Sequence, residues 1–274
     1  MLALVLALSL MTGCGSTTAS STASDTTGTD STVEPLRIGM ECDYAPQNWQ
    51  ESTQTDTNLP IENVPGAYAE GYDVMISRLI GEALGREVVV EKLAWDGLIE
   101  ALNAGQIDMI IAGMADTEAR KESVAFSLTY DPTTYVIVVR SDSQYANATS
   151  FADFAGAAIL GQKDTKYDEV IDQIEGVNHL TPVDSVPNML ARLDQKSVDG
   201  LVLDSSTAAA YLEVYPDFTI PELTDSFDLG FTGACIGLRL DDTETLEAVN
   251  AVIGSLTQED FDTMKNKAIE MMPK

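Results

Sequence analysis

Two side chains of opposite charge each follow one of two look-alike stretches in this chain. Arg120 comes shortly after Ile107-Asp108-Met109-Ile110-Ile111, and Asp204 directly after Val198-Asp199-Gly200-Leu201-Val202-Leu203. The likeness extends upstream. Leu98-Ile99-x-x-Leu102 and Gly105-Gln106 precede the first string, Met189-Leu190-x-x-Leu193 and Lys196-Ser197 the second, and the offset is 91 positions (108 to 199). Each copy reads as an amphipathic helix, a short polar break, and an aspartate that introduces a buried strand. Fixed-period similarity usually marks solenoids, but two copies this far apart predict two related lobes. Ligands of open α/β sheets sit at the carboxyl ends of the strands. The segments Gly113 to Arg120 and Asp204-Ser205-Ser206 are therefore predicted to face each other across a cleft. A guanidinium on one lip suits a carboxylate, and an aspartate on the other suits an ammonium, which together fit a zwitterion. Plainer readings stand beside this one. Arg120 lies among Glu118, Lys121 and Glu122 as a solvated, salt-bridging arginine would, and Asp204 is placed to cap the helix that starts at Ser205-Ser206.

Other chemistries have little to work with. His179 is the single histidine and sits in a turn-like stretch, and the chain has no CxxC or His/Cys cluster. Zinc and Ser-His-Asp chemistry are therefore not expected, and the sequence assigns no catalytic residue, metal or cofactor. The net charge is −29, from 15 Lys+Arg against 44 Asp+Glu. That balance argues against nucleic acid, whose phosphates demand the opposite sign, and it suits a solvated, self-repelling surface.

The elements that must hold these residues alternate from Leu36 onward. Strands are predicted over 36–40, 88–90, 107–111, 135–139, 158–161, 179–183, 198–203 and 231–240. Helices are predicted over 73–84, 96–104 with Asp96 as N-cap, 165–174, 186–193, 206–215, 243–256 and 259–272. Between Asp43 and Gly71 lies a long polar excursion. Such alternation implies parallel sheets with crossover helices, that is, an α/β chain of two Rossmann-like lobes. The lobes balance only if the C-terminal helices return to the first one. Lobe 1 is then 35–133 plus 231–274 and lobe 2 is 134–230, with two chain crossings, near 131–135 and 225–232, as a two-strand hinge.

The first residues read differently. Met1 to Met11 is apolar but shorter than the roughly 20 residues a membrane span needs. It runs into Leu10-Met11-Thr12-Gly13-Cys14, which resembles a bacterial lipoprotein signal ending in its lipobox. On that reading 1–13 is the signal peptide, its start expected to lie within a longer one because it carries no lysine or arginine. Cys14 is the lipidated residue, and 14–34 is a Ser/Thr-rich tether with too little apolar surface to fold. Cys42 and Cys235 remain, and their spacing leaves open whether they pair.

From about Leu36 to its end the chain resembles bacterial extracellular solute-binding proteins of the polar amino-acid type, which serve ABC importers. The strings that carry this are Tyr44-Ala45-Pro46, Glu70-Gly71-Tyr72-Asp73-Val74, Trp95-Asp96-Gly97-Leu98-Ile99, Ile107 to Met114 continuing to Thr117 and Arg120, Phe151-Ala152-Asp153-Phe154-Ala155-Gly156, and Val198 to Asp204. Each is weak alone, and six in the family's order are strong. The resemblance implies the type 2 periplasmic-binding fold, with a ligand cleft between two hinged α/β lobes. It implies that Arg120 clamps the ligand's α-carboxylate and Asp204 takes its α-ammonium. Tyr44 and Trp95 would wall the side chain, Thr165 would donate a hydroxyl from lobe 2, and the main chain at Ala112 and Gly113 would bind the ligand's polar end. Glu41, where relatives often carry an acid, would meet the far end of the ligand side chain. Ala115 and Lys166 depart from the family's usual hydroxyl residues, and the Lys166 ammonium would either replace the missing donor or pair with Asp164.

These roles predict a free amino acid as ligand, with arginine, lysine or histidine favoured over glutamine because cations stack on aromatic walls. The expected partners are an ABC-transporter permease and, through Cys14, the outer face of the cytoplasmic membrane. The protein is expected to act as a monomer and not as an enzyme. The alternative is a periplasmic-binding-fold enzyme such as a prephenate- or arogenate-type dehydratase, with Glu41 or Asp164 as general acid.

Overall fold

The computed structural model describes residues 34–231 and 233–273. The expected signal, Cys14 and tether lie outside the described residues. Residues from Glu34 onward cluster as one unit. Its first strand, β1 (Leu36–Met40), is followed by β2 (Asp43–Tyr44), β3 (Asn48–Glu51), β4 (Leu59–Pro60) and β5 (Tyr68–Glu70). The stretch expected to be a polar excursion is thus a small antiparallel sheet of order β2-β3-β5-β4. Its strands are too short for period-2 alternation to register, and Trp49 within it is 4% exposed. Next come α1 (Tyr72–Leu84), β6 (Val88–Lys92), α2 (Leu98–Asn103), β7 (Met109–Ile110), α3 (Glu118–Lys121) and β8 (Ala125–Pro132). Helix α1 stops where expected, at Gly85, in left-handed conformation. Asp96 does not cap α2, which begins through a 3-10 turn over Trp95–Gly97. The Asp96 carboxylate instead meets Lys163 Nζ at 3.0 Å.

The chain then forms β9 (Tyr135–Arg140), β10 (Ala158–Leu160), α4 (Lys166–Glu169), β11 (Asn178–His179), α5 (Val186–Asp194), β12 (Gly200–Asp204), α6 (Ser205–Val214) and β13 (Phe218–Thr219). It closes with β14 (Gly233–Leu238), α7 (Thr243–Ser255) and α8 (Gln258–Met271). The main sheets have orders β6-β1-β7-β14-β8 and β11-β10-β12-β9-β13. In each, three parallel strands are followed by two that complete the sheet through an antiparallel pairing. The chain passes from the first sheet to the second between Pro132 and Tyr135, and returns between Thr219 and Gly233. Helices α7 and α8 pack back on α1, and α7 also on β8. Strand β8, absent from the sequence reading, is half-buried along much of its length and lacks a continuous apolar run.

The internal repeat has one structural meaning in both lobes. Asp108 Oδ2 accepts the Arg37 amide at 3.0 Å, and Asp199 Oδ2 accepts the Ala158 amide at 2.8 Å. Each aspartate's own amide returns a bond to the same partner's carbonyl, at 2.8 Å in both cases. The aspartate therefore clasps the start of the neighbouring parallel strand and fixes its register. Three residues earlier the chain turns through left-handed backbone, at Gly105 (φ 73) and at Lys196 (φ 60). A glycine adopts that conformation without the penalty a side chain brings.

Candidate functional site

The loops after β1, β6, β7 and β10 border one cleft. The first lobe contributes Glu41 after β1, Trp95 before α2, Ala112, Gly113 and Ala115 after β7, and Arg120 in α3. The second contributes Thr165 and Lys166 at the start of α4. These residues and Tyr44 border one narrow cavity between the two sheets' loops. Asp204 does not border it. It lines an adjoining void that shares Tyr44, Gly113, Tyr135 and Tyr167 with the first.

Arg120 forms no ion pair among the described residues. Lys121 takes Asp116 and Glu118 instead, at 2.9 Å each. The guanidinium lies over Trp95, 5.1 Å from the ring centroid, and donates to Ala115 O at 2.9 Å and, across the cleft, to Asp164 O at 3.1 Å. The same Asp164 carbonyl accepts Trp95 Nε1 at 2.9 Å. Asp164 reaches this geometry with φ 59, and its carboxylate turns outward to Lys163 at 3.5 Å. Lys166 pairs with Glu169, so the expected Lys166–Asp164 pair does not form. Asp116 and Thr117, which follow Ala115, are also engaged elsewhere. Asp116 holds Lys121, and Thr117 caps α3.

Glu41 is 6% exposed, and Gln162 Nε2 reaches its Oε1 from the other lobe at 2.9 Å. Burial, then the nearby Asp43 and Asp96 charges, push the Glu41 carboxyl up to about 8 despite the Gln162 amide. Desolvation penalises the charged form of an acid, and a nearby cation would reverse the shift.

Asp204 is 4% exposed and does cap α6, accepting the Thr207 amide at 2.9 Å and the Ser206 hydroxyl at 2.7 Å on Oδ1. Its Oδ2 accepts the hydroxyls of Tyr44 at 2.7 Å and Tyr167 at 2.8 Å. Burial alone would raise its pKa, but the Ser206, Thr207 and Tyr44 donors outweigh burial and hold it below the usual value. The Gly113 amide is also committed, donating to Tyr130 OH at 3.0 Å, and Tyr130 in turn donates to buried Asp73 at 2.7 Å. Gly113 has φ +64, and a Cβ there would stand 3.0 Å from the Tyr44 ring, so the close approach of Tyr44 needs glycine.

Gln162, Tyr135 and Tyr167 border the cavity without having been picked from sequence. Gln162 follows the end of β10, so the carboxyl-end rule applied after β7 and β12 would have found it there too. The tyrosines carry no comparable signal. His179 is held between Asp168 and Asp172, both at 2.8 Å. Cys42 and Cys235 are separate buried thiols.

A profile of the bacterial extracellular solute-binding proteins, family 3, matches residues 36–270. ABC transporter arginine-binding protein 1 of Escherichia coli (strain K12) is 26% identical over 204 residues, covering 73% of this chain and 82% of that protein. Among solved structures, holo ArgBP from T. maritima is 30% identical with a TM-score of 0.67, covering 85% of this chain and 96% of that one. The L-arginine-bound amino-acid ABC transporter substrate-binding protein AbpA from Streptococcus pneumoniae superposes with a TM-score of 0.74 at 21% identity, over 86% of this chain and 94% of that one, a likeness of fold. Two lobes of equal strand order around one cleft, with the family match running almost the whole described length, place the chain among the bacterial extracellular solute-binding proteins of family 3.

Proposed function

We propose that this chain is the substrate-binding component of an amino-acid ABC importer and that it closes on a free cationic amino acid. The observation that carries this reading is the pairing, in one cavity, of an arginine without an acidic partner among the described residues and a buried glutamate. Arg120 supplies a bidentate fork for a carboxylate, and Glu41 supplies the countercharge for the far end of the side chain, with Trp95 and Tyr44 as walls. Charge-assisted hydrogen bonds of this kind contribute roughly 1.5–3 kcal/mol each. The names of the E. coli and T. maritima relatives point to arginine as the first ligand to try. Asp204 stands behind Tyr44 and Tyr167, as an anion that organises the opposite wall.

The remaining parts of the proposal concern the whole protein. Residues 35–133 with 231–274 move as one lobe and 134–230 as the other. Closure from 1:99 to 99:1 needs a preference of about 5.5 kcal/mol for the closed state. Cys14 anchors the protein by lipid outside the cell membrane, a permease receives the closed form, and the protein works as a monomer without catalysis. A thermal-shift screen of the twenty amino acids tests the ligand class. A bound ligand at 100 Kd stabilises by about 2.7 kcal/mol. Stabilisation by arginine, lysine or histidine is expected, and stabilisation only by acidic or apolar amino acids would refute the reading. The dehydratase alternative keeps one point in its favour, the burial of Glu41 at the cavity's edge, which pushes its carboxyl up to about 8. Incubation with prephenate or arogenate separates the two, since decarboxylated product would establish the enzyme.

A further inference from the structure

The acid expected to read the ligand's α-ammonium is covered on both oxygens by the protein's own donors. The Ser206 hydroxyl and Thr207 amide donate to Asp204 Oδ1, and the Tyr44 and Tyr167 hydroxyls, 2.7 Å from each other, both lie against Oδ2 and share their two protons between that oxygen and themselves. Tyr167 is the decisive one of the four. It belongs to the same lobe as Asp204, at the start of α4 beside the end of β12, so opening the cleft does not separate the two. Its ring is held 4.8 Å from that of Tyr135, and the side chain is 7% exposed. Tyr44, by contrast, reaches Asp204 from the first lobe and leaves with it.

The facing wall offers no substitute acid. Ala112, Gly113 and Ala115 carry no side-chain acceptor, the Ala115 carbonyl already takes the Arg120 guanidinium, and the Gly113 amide is spent on Tyr130. An α-ammonium beside a carboxylate held by Arg120 therefore meets neutral phenolic oxygens and not an anion. At the other end of the same cavity Glu41 has one oxygen on Gln162, and its Oε2 accepts no hydrogen bond among the described residues.

We infer that Tyr167 is a specificity-determining residue: by occupying Asp204 it removes the α-ammonium from what the site reads, so that the site takes carboxylates bearing a distal cation whether or not they carry a free α-amine. The inference rests on the proposed reading, in which Arg120 holds the carboxylate and Glu41 the distal cation. Its ligand class includes deaminated and N-acylated relatives of the basic amino acids.

Three probes that differ by one group test it: L-arginine, 5-guanidinopentanoate, which is arginine without its α-amine, and agmatine, which is arginine without its carboxylate. Calorimetric titration of the full chain is expected to give 5-guanidinopentanoate a Kd within about tenfold of that of L-arginine, and agmatine one weaker by about a hundredfold or more. Tyr167→Phe keeps the ring and its packing but frees one position on Asp204. It is expected to tighten L-arginine by about tenfold relative to 5-guanidinopentanoate. A wild-type Kd for 5-guanidinopentanoate more than about tenfold weaker than that for L-arginine would overturn the inference and leave the proposed function standing. Failure of L-arginine, lysine and histidine alike to bind would overturn both. The wild-type series needs no variant to fold.

Discussion

Gln162 Nε2 lies 2.9 Å from Glu41 Oε1, and the two residues come from opposite lobes. The same amide nitrogen donates to Asp184 O, within its own lobe, at 3.0 Å. The amide is thus oriented within its own lobe and fixes the direction of a buried acid in the other. Gln162→Leu should loosen Glu41 and push its carboxyl higher still, because the amide stabilises the anion. The expected cost to arginine affinity is about tenfold, read by calorimetry, with the optimum of binding moved to higher pH.

Glu41 also makes ligand binding depend on pH. Its carboxyl keeps its proton to about 8, against 4.5 ordinarily, whereas a bound cation favours the ionised form. At pH 7 binding of a cationic ligand should therefore release a proton, and affinity should rise with pH up to about 8, by at most about tenfold per unit. Titrations in buffers of different ionisation enthalpy count that proton. Glu41→Gln should abolish both the release and the slope.

Stability of the unliganded protein carries the opposite sign. A carboxyl whose folded pKa is raised binds more protons folded than unfolded, so its contribution is fully present below about 4.5 and is lost as pH rises through 8. Asp73, pushed to about 7 by burial despite the Tyr130 and Asn48 donors, acts in the same direction. Urea midpoints should fall between pH 5 and pH 8, and Glu41→Gln should flatten that fall, leaving the Asp73 part.

Arg120 has no ionic partner among the described residues, so its removal should be felt in binding. Arg120→Ala is expected to weaken arginine at least about a hundredfold. Arg120→Lys should restore little, since one ammonium cannot span both Ala115 O and Asp164 O while presenting a fork to a carboxylate.

The repeat supplies a stability test away from the cleft. Asp199→Ala leaves the Ala158 amide without its side-chain acceptor and should cost about 1–3 kcal/mol in urea unfolding. Asp108→Ala should cost more, because Asp108 also meets Arg86 at 3.1 Å.

These two aspartates also explain what could be read from sequence. The two-lobe fold was legible because Asp108 and Asp199 sit at one position of a repeated unit whose strands are wholly buried, a pattern that local periodicity detects. Of the cavity residues, Gly113, Ala115 and Arg120 lie in the segment that follows a strand end, whereas Ala112 came only with the family resemblance. What stayed hidden depends on contacts between distant segments. Whether Asp204 faces a ligand or is covered by phenols turns on Tyr44 and Tyr167, 160 and 37 positions away, and no local pattern carries that. The small sheet around Trp49 escaped for another reason, its strands being two to four residues long.

The central claim is that a cation at the far end of the ligand is read by Glu41 while Arg120 holds the carboxylate. Its sharpest measurement compares L-arginine with L-citrulline, a neutral molecule of nearly the same shape, by calorimetry near pH 8. Citrulline should bind about a hundredfold more weakly or not at all. Equal affinity for the two would contradict the account.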